Sequence, residues 1–182
     1  VNPIDGERRI GSVGLPVPGV EMSIRDEHMQ EMPDGQVGEI CCRGDSMMKG
    51  YWNRPGDTAD VFHHGWLKTG DVGYRDDAGY FYIVDRIKDM VIVNGINVYP
   101  RVIEEVLYQH AYVSEAAVVG EPDRLHGEIP VAYVSLEQDA AQDAEAMRRY
   151  CAEHLGRHEI PRKIIFLDQL PKSATGKILK RE

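Results

Sequence analysis

Lys177 is the residue whose type and setting best suit chemistry. It follows Gly176 in a segment, 170–178, that is rich in proline, serine and threonine, which is typical of a mobile loop. A lysine ammonium is a compact charge that can stabilise the negative charge developing during attack on a phosphate. The Gly-Lys pair is not a phosphate-binding loop, because no glycine stands five residues before Gly176 and no hydroxyl residue follows Lys177. Taken alone, the segment could equally be a basic tail.

Two further residues have side chains suited to a nucleotide. Asp71 follows Thr69-Gly70, which we predict to be the tip of a turn, and a carboxylate can accept two hydrogen bonds from a vicinal diol such as that of ribose. Arg86, in the charged run 85–89, carries a rigid fork of donors for hydroxyls or phosphate. The alternatives are a capping aspartate in a loop and a solvated linker with weak salt bridges.

The dipeptide Asn94-Gly95 predicts a tight hairpin. It stands between two apolar runs, 90–93 and 96–98, and both central residues of such a turn take positive φ. Gly95 also allows a thin ligand to approach the backbone closely. On spacing alone, a hairpin without a ligand is the simpler interpretation.

These residues need elements to position them, and the first half of the chain predicts mainly strands. Alternation and turn signals favour an antiparallel β-unit from about residue 10 to 84, with one short helix. The predicted strands are 20–25, 37–42, 72–74 and 80–84, the helix is 54–62, and the last hairpin turns at 76–79.

The second half mixes helices with strands. Pro100 suits the first position of a helix with an apolar face, and Asp143 is a plausible N-cap for a second helix. The two apolar faces are Val102, Ile103, Val106 and Leu107, and Ala144, Met147, Cys151 and Leu155; the strands are 116–120, 129–136 and 164–167. The predicted class is α+β, with the antiparallel β-rich unit followed by a small α+β domain from about residue 89 to the end. We place the boundary between them within the highly charged link 85–89.

Composition excludes several classes. The 30 acidic residues exceed the 21 basic ones, giving a formal net charge of −9, so we expect no nucleic-acid partner. Three cysteines, Cys41, Cys42 and Cys151, favour a reducing cytoplasmic setting over a disulfide framework. No metal-ligand spacing and no apolar run of about 18 residues are present, so we expect neither a metal site nor a membrane span. Because Val1 is not a natural start, we expect an excised fragment.

Taken together and in order, four segments resemble the adenylate-forming superfamily, specifically the acyl-CoA synthetases or fatty-acid–CoA ligases. The resemblance covers nearly the whole chain and includes a Thr-Gly-Asp motif, a hinge motif and a terminal lysine motif. The segments are Trp66-Leu67-Lys68-Thr69-Gly70-Asp71; Asp85-Arg86-Ile87-Lys88-Asp89 with Asn94-Gly95 and Val98-Tyr99-Pro100; Val119-Gly120-Glu121-Pro122-Asp123 with Gly127-Glu128; and Pro171-Lys172 with Gly176-Lys177-Ile178.

The resemblance implies activation of a carboxylic acid, with a fatty acid expected, by ATP to acyl-AMP and transfer of the acyl group to coenzyme A. Asp71 would hold the ribose hydroxyls, and Arg86 would contact the ribose or phosphates. Lys177 would bridge the carboxylate and α-phosphate, and Lys88 would be the hinge. Asn94 and Gly95 would line the pantetheine path, on a different face of the domain from Lys177. Residues 1–87 would be the C-terminal, β-rich part of the large AMP-binding domain. The hinge would join it to a mobile α+β C-terminal domain, residues 88–182.

Two motifs of that family are absent, the phosphate loop and the Tyr-Gly-x-Thr-Glu segment that helps hold ATP and Mg²⁺. We therefore expect Mg²⁺ to be bound mainly by residues outside this chain, and the chain alone to be inactive. The alternatives are an aryl-acid or amino-acid adenylating enzyme, a luciferase-like oxygenase, or a non-catalytic binding module with the same fold. Among the histidines, His126 beside Gly127-Glu128 is the one of interest, although a surface loop histidine is the simpler interpretation.

Overall fold

The computed structural model describes residues 1–138 and 140–180, which fall into two compact units, Val1–Lys88 and Asp89–Glu182. Each unit has its own sheet, and each is described by itself below. Among the described residues, none of the helices has the length and apolar composition that a membrane-spanning helix needs.

The first unit is a five-stranded sheet in which every named strand pair is antiparallel. β2 and β4 lie at its centre: β1 pairs with β2, β2 with β4, and both β3 and β5 pair with β4. The elements are β1 (Val20–Arg25), β2 (Gly38–Gly44), α1 (Pro55–Val61), β3 (Phe62–His63), β4 (Trp66–Arg75) and β5 (Phe81–Arg86).

The β4–β5 hairpin closes as its sequence predicts. The Asp76 Oδ1 atom accepts hydrogen bonds from the backbone N–H groups of Ala78 and Tyr80 at 3.0 and 2.8 Å, and Gly79 takes a φ of +86°. An aspartate that bonds its own turn in this way is a strong local signal. Ile24, Ile40 and Phe81, which lie on β1, β2 and β5, form a small buried core.

The second unit is also built on a five-stranded sheet, with the strand order β10-β9-β6-β7 and with β8 paired to β9. β10 runs parallel to β9, and α3 lies in the crossover that a parallel pair requires. The elements are β6 (Val91–Val93), β7 (Ile96–Val98), α2 (Pro100–Tyr108), β8 (Val113–Asp123), β9 (Gly127–Leu136), α3 (Ala144–His154) and β10 (Lys163–Phe166).

Both helices of this unit bury one face in a single core. α2 contributes Ile103 and Leu107, both fully buried, and α3 contributes Met147 and Cys151. The strand residues that meet the helices are every second residue along parts of β8 and β9, so they lie on one face of the sheet; they include Ala116, Val118, Ala132 and Val134. Burial raises the pKa of the Cys151 thiol to about 11, so this cysteine acts as a small apolar core residue.

The α+β class is confirmed, and most predicted elements are present with different bounds. The strand predicted at 72–74 is the end of a longer strand, β4, and the strand predicted at 116–120 extends to the whole of β8. One local interpretation was wrong. Thr69-Gly70-Asp71 is not at the tip of a turn but inside β4, because that segment is held between two neighbouring strands.

The N-cap of α3 provides a stability test. The Asp143 side chain accepts a hydrogen bond from the Ala146 backbone N–H at 2.9 Å. We expect Asp143→Ala to lower the free energy of unfolding by about 1 kcal/mol, because the donor loses its partner. Urea unfolding measures this, and Asp143→Asn, which keeps an acceptor oxygen, is the matched control. Equal losses in both variants would contradict the capping role.

Candidate functional site

Asp71 lies at an irregularity of β4 that the sheet holds firmly. Three residues of β4, Thr69 to Asp71, face the single residue Ile40 of β2, because Lys68 pairs with Cys41 and Val72 pairs with Glu39. The Thr69 hydroxyl donates to the Ile40 carbonyl at 2.7 Å, and the Gly70 N–H donates to a Glu39 carboxylate oxygen at 3.0 Å. Gly70 takes a φ of +75°, which glycine adopts without strain. The bulge therefore fixes where the Asp71 carboxylate lies.

Arg86 is brought to Asp71 by the register of the neighbouring strand. The two residues are direct partners in the β4–β5 ladder, and Arg86 Nε donates to Asp71 Oδ1 at 2.9 Å. The arginine side chain is 51% exposed and the aspartate side chain 23% exposed, so both can be reached by a ligand. A carboxylate beside a guanidinium offers acceptors for hydroxyls and donors for phosphate in one place.

Lys88 lies on a single 3₁₀ turn, Ile87–Asp89, directly after β5. The lysine is exposed, and the division between the two compact units falls immediately after it. Lys88 is thus the last residue of the first unit, where the chain passes into the second.

Lys177 occupies a closed turn rather than an extended tail. The Ser173 N–H donates to the Lys177 carbonyl at 2.8 Å, and the Lys177 N–H donates to the Ser173 hydroxyl at 3.2 Å. Gly176 takes a φ of +81°, and a β-bridge between Lys172 and Ile178 closes the base of the turn. Lys177 is exposed, and the backbone that carries it is held in a defined turn.

Asn94 and Gly95 form the hairpin that the sequence predicts. Their φ values are +52° and +79°, and β6 and β7 pair on either side of them. The Asn94 N–H donates to the His126 carbonyl at 2.8 Å, and the Ile92 N–H donates to a Glu128 carboxylate oxygen at 2.8 Å. The hairpin is therefore anchored to the β8–β9 connection.

A cavity of about 340 Å³ lies beside this hairpin. Asn94 and Ile96 line one side of it. The remaining lining includes four side chains that carry or can carry positive charge, His126, Arg157, His158 and Arg162. Arg157 and Arg162 were not among the predicted site residues, although their position on either side of Pro161, between α3 and β10, indicates a basic loop.

His126 is held in one orientation in this cavity. Asp123 Oδ1 lies 2.7 Å from His126 Nδ1 and also accepts from the His126 backbone N–H, and these contacts hold the pKa of Asp123 below its usual range. His126 Nε2, the other ring nitrogen, lies 3.4 Å from an Arg162 side-chain nitrogen. Arg162 and the His126 imidazole therefore lie next to each other in the lining of the cavity.

The Lys177 turn and the Asn94-Gly95 hairpin lie against different neighbours within the second unit. The segment carrying Lys177 borders Ala117, Val119 and Tyr133, which are on the sheet face away from the helices. The hairpin borders His126 and the loop before β10. The two sets of lining residues have no member in common.

No group of three or more histidine, cysteine or acidic side chains that could hold a metal ion occurs among residues 1–138 and 140–180. Cys41 is buried, and its pKa is raised to about 11 by that burial, so it is not a reactive thiol. The chemistry available here is that of Lys177, the Asp71–Arg86 pair and the basic cavity.

Comparison with known proteins gives two family matches. Residues 102–177 match the AMP-binding enzyme C-terminal domain, and residues 1–52 match the AMP-binding enzyme family. A long-chain-fatty-acid–CoA ligase from Escherichia coli is 44% identical over 182 residues, covering 100% of this chain and 32% of the relative. A sulfoacetate–CoA ligase from Cupriavidus necator is 46% identical, covering 97% of this chain and 35% of the relative.

Among solved structures, o-succinylbenzoate–CoA synthetase from Bacillus subtilis in complex with its acyl-adenylate intermediate superimposes with a TM-score of 0.86. It is 38% identical, and the match covers 96% of this chain and 35% of that one. The chain spans about a third of the length of the curated relatives it matches.

Proposed function

Because the chain belongs to the family of AMP-binding, adenylate-forming enzymes, we propose that it is part of an ATP-dependent acid–thiol ligase of the acyl-CoA synthetase type. In the first half-reaction a carboxylate oxygen bonds to the α-phosphorus of ATP, and the bond to pyrophosphate breaks. In the second, the sulfur of coenzyme A, having lost its proton, bonds to the acyl carbon, and AMP leaves.

The observation that carries this proposal is the arrangement within the second unit. One compact body presents an exposed lysine on a closed turn at one place and a glycine hairpin beside a basic cavity at another. Two half-reactions need two different sets of groups around one adenylate, and a mobile domain can supply them in turn. Lys88, at the junction of the two units, is the proposed hinge residue.

For the nucleotide, the proposed residues are Asp71 and Arg86. The Asp71 carboxylate accepts from the two ribose hydroxyls, and Arg86, already paired with it at 2.9 Å, orients the carboxylate and donates to the nucleotide. Residues 1–87 are proposed to form part of the large AMP-binding domain. No described residue is assigned to Mg²⁺, because the carboxylates present form no suitable cluster within the described ranges.

For the transferred groups, Lys177 is proposed to bridge the substrate carboxylate and the α-phosphate. Asn94 and Gly95 are proposed to line the pantetheine path, because no heavy atom beyond Gly95 and its two chain neighbours lies within 4 Å of where a Gly95 side chain would begin. The basic side chains of the adjoining cavity suit the phosphate groups of coenzyme A, which continue from the pantetheine arm.

We propose a fatty acid as the carboxylic substrate. The support is the long-chain-fatty-acid–CoA ligase that matches the whole chain at 44% identity. The test is acid-dependent ATP–pyrophosphate exchange by the full-length enzyme with fatty acids of increasing length, and with sulfoacetate and an aryl acid for comparison. If the enzyme catalyses exchange with an amino acid but with none of the fatty acids, a fatty acid is not the substrate. If exchange depends on the acid but CoA does not cause release of AMP, CoA is not the acceptor.

The nucleotide assignment is tested by Asp71→Ala in the full-length enzyme. We expect the KM for ATP to rise by about tenfold, because a charged acceptor is lost from the ribose hydroxyls. Steady-state kinetics of exchange measure this. Asp77→Ala, which removes an exposed carboxylate from the β4–β5 turn, is the matched control. An unchanged KM for ATP in Asp71→Ala would remove Asp71 from the nucleotide site.

A further inference from the structure

The turn that carries Lys177 is attached to its unit in a particular way. Its internal shape comes from its own hydrogen bonds around Ser173 and from a Leu179 N–H to Pro171 carbonyl bond of 2.8 Å. These bonds determine the conformation of the turn. They do not determine its position relative to the sheet, which depends on contacts made by the residues on either side of the turn.

Apolar packing fixes only one end of the segment. Leu170, before the turn, is 4% exposed and belongs to the buried interior. Beyond it, a cavity of about 210 Å³ remains between the segment and the sheet residues Ala117, Val119 and Tyr133. Because close packing is what normally holds a segment in register, a cavity of this size leaves the outer part of the segment weakly positioned by apolar contacts.

Two lysines flanking the turn supply the missing attachment. Lys180, three residues after Lys177, donates to Glu104 Oε1 of α2 at 2.7 Å, and Lys172 pairs with Glu115 of β8. The pair at Lys180 is the more enclosed, with the lysine side chain 25% exposed and the glutamate side chain 12% exposed. Enclosure reduces screening by solvent and salt, so this pair constrains position better than an exposed one.

Glu104 is itself fixed by the backbone. The same Oε1 atom accepts a hydrogen bond from the Val118 N–H of β8 at 2.7 Å. The carboxylate is thus held between α2 and β8, and Lys180 is tied to a point that belongs to the packed framework of the unit. A residue that sets the position of a catalytic group does so best from such a rigid support.

The geometry points to Lys180 as a positioning residue for adenylation, acting through Lys177, with Glu104 as its anchor. This inference rests on the proposed function of Lys177. Loss of the tether lets the turn move on the sheet while its internal hydrogen bonds persist. Misplacement of a reacting group by about 1 Å costs up to about 100-fold in rate, so a partial loss of position is expected to cost about tenfold.

The test uses the full-length enzyme and measures two rates, ATP–pyrophosphate exchange and thioester formation from supplied acyl-adenylate. We expect Lys180→Met to slow exchange about tenfold and leave thioester formation near wild type. Lys180→Arg, which keeps the charge, restores most of the exchange rate. Glu104→Gln, which still accepts from Val118, slows exchange like Lys180→Met. The matched control is Arg149→Met, which removes an exposed ion pair on α3.

A double variant separates positioning from general weakening of the fold. If Lys180 acts through Lys177, Lys180→Met adds no further loss in a Lys177→Ala background. The positioning role is overturned if Lys180→Met retains wild-type exchange, slows both half-reactions equally, or adds its full effect to that of Lys177→Ala. If Lys177→Ala itself retains exchange, the proposed function of Lys177 falls, and the positioning role falls with it.

Discussion

Lys177→Ala in the full-length enzyme is expected to slow ATP–pyrophosphate exchange by about 10³-fold, because a single preorganised charge at the transferred group is commonly worth about 10²–10³ in rate. Thioester formation from supplied acyl-adenylate is expected to stay near wild type. The lysine is exposed, and its backbone hydrogen bonds do not involve its side chain, so the variant keeps the fold.

Both rates are measured on the same preparation, with pyrophosphate exchange for the first half-reaction and AMP release from acyl-adenylate for the second. Lys49→Ala, which removes another exposed lysine, is the control for a general loss of positive charge. Equal losses in the two half-reactions would show that Lys177 does not serve adenylation alone. They would also remove the main support for the proposal that different segments of the second unit serve the two half-reactions.

The second large effect is expected at Gly95, with the opposite pattern. Gly95→Leu should slow thioester formation by about 100-fold while leaving pyrophosphate exchange near wild type, because a side chain there fills the proposed pantetheine path. The protein itself leaves room for the new side chain, since no heavy atom beyond Gly95 and its two chain neighbours lies within 4 Å of its first carbon. The loss therefore reports on the ligand path and not on a clash within the hairpin.

Backbone strain has to be separated from blockage, because Gly95 has a φ of +79° and a side chain there costs about 1–2 kcal/mol. Gly35→Leu is the matched control, since Gly35 has a φ of +80° and equally open surroundings in a turn of the first unit. If Gly95→Leu destabilises the protein as Gly35→Leu does but leaves both half-reactions intact, the path does not pass this hairpin.

Local rules account for the features that the sequence predicted well. The positive φ values of Asn94 and Gly95 follow from the turn that a dipeptide of this kind forms, and the Asp143 cap depends on a donor only three residues away. The helix faces were equally readable, because periodicity of 3.6 residues is a property of neighbours in sequence.

Features that depend on distant partners could not be predicted. The Thr69–Asp71 bulge exists because Glu39, 31 residues before Gly70, supplies an acceptor inside the sheet. The approach of Arg162 to His126 spans 36 residues and follows from the β9–β10 register. Neither the local composition nor the alternation of β4 specifies these pairings, because register is decided by the assembled sheet.

The shared core of the second unit affects how an enzyme of the proposed kind is distributed between two orientations of that unit. The Lys177 turn and the Asn94-Gly95 hairpin belong to one compact unit with one core, so they move together. If the two half-reactions need them in turn, as proposed, the orientation that presents the first to the adenylate is not the orientation that presents the second. The two competent populations then sum to at most one. A substitution near Lys88 that stabilises one orientation lowers the population of the other and slows the half-reaction that needs it. Turnover is fastest when neither half-reaction is limited by a low population of its orientation.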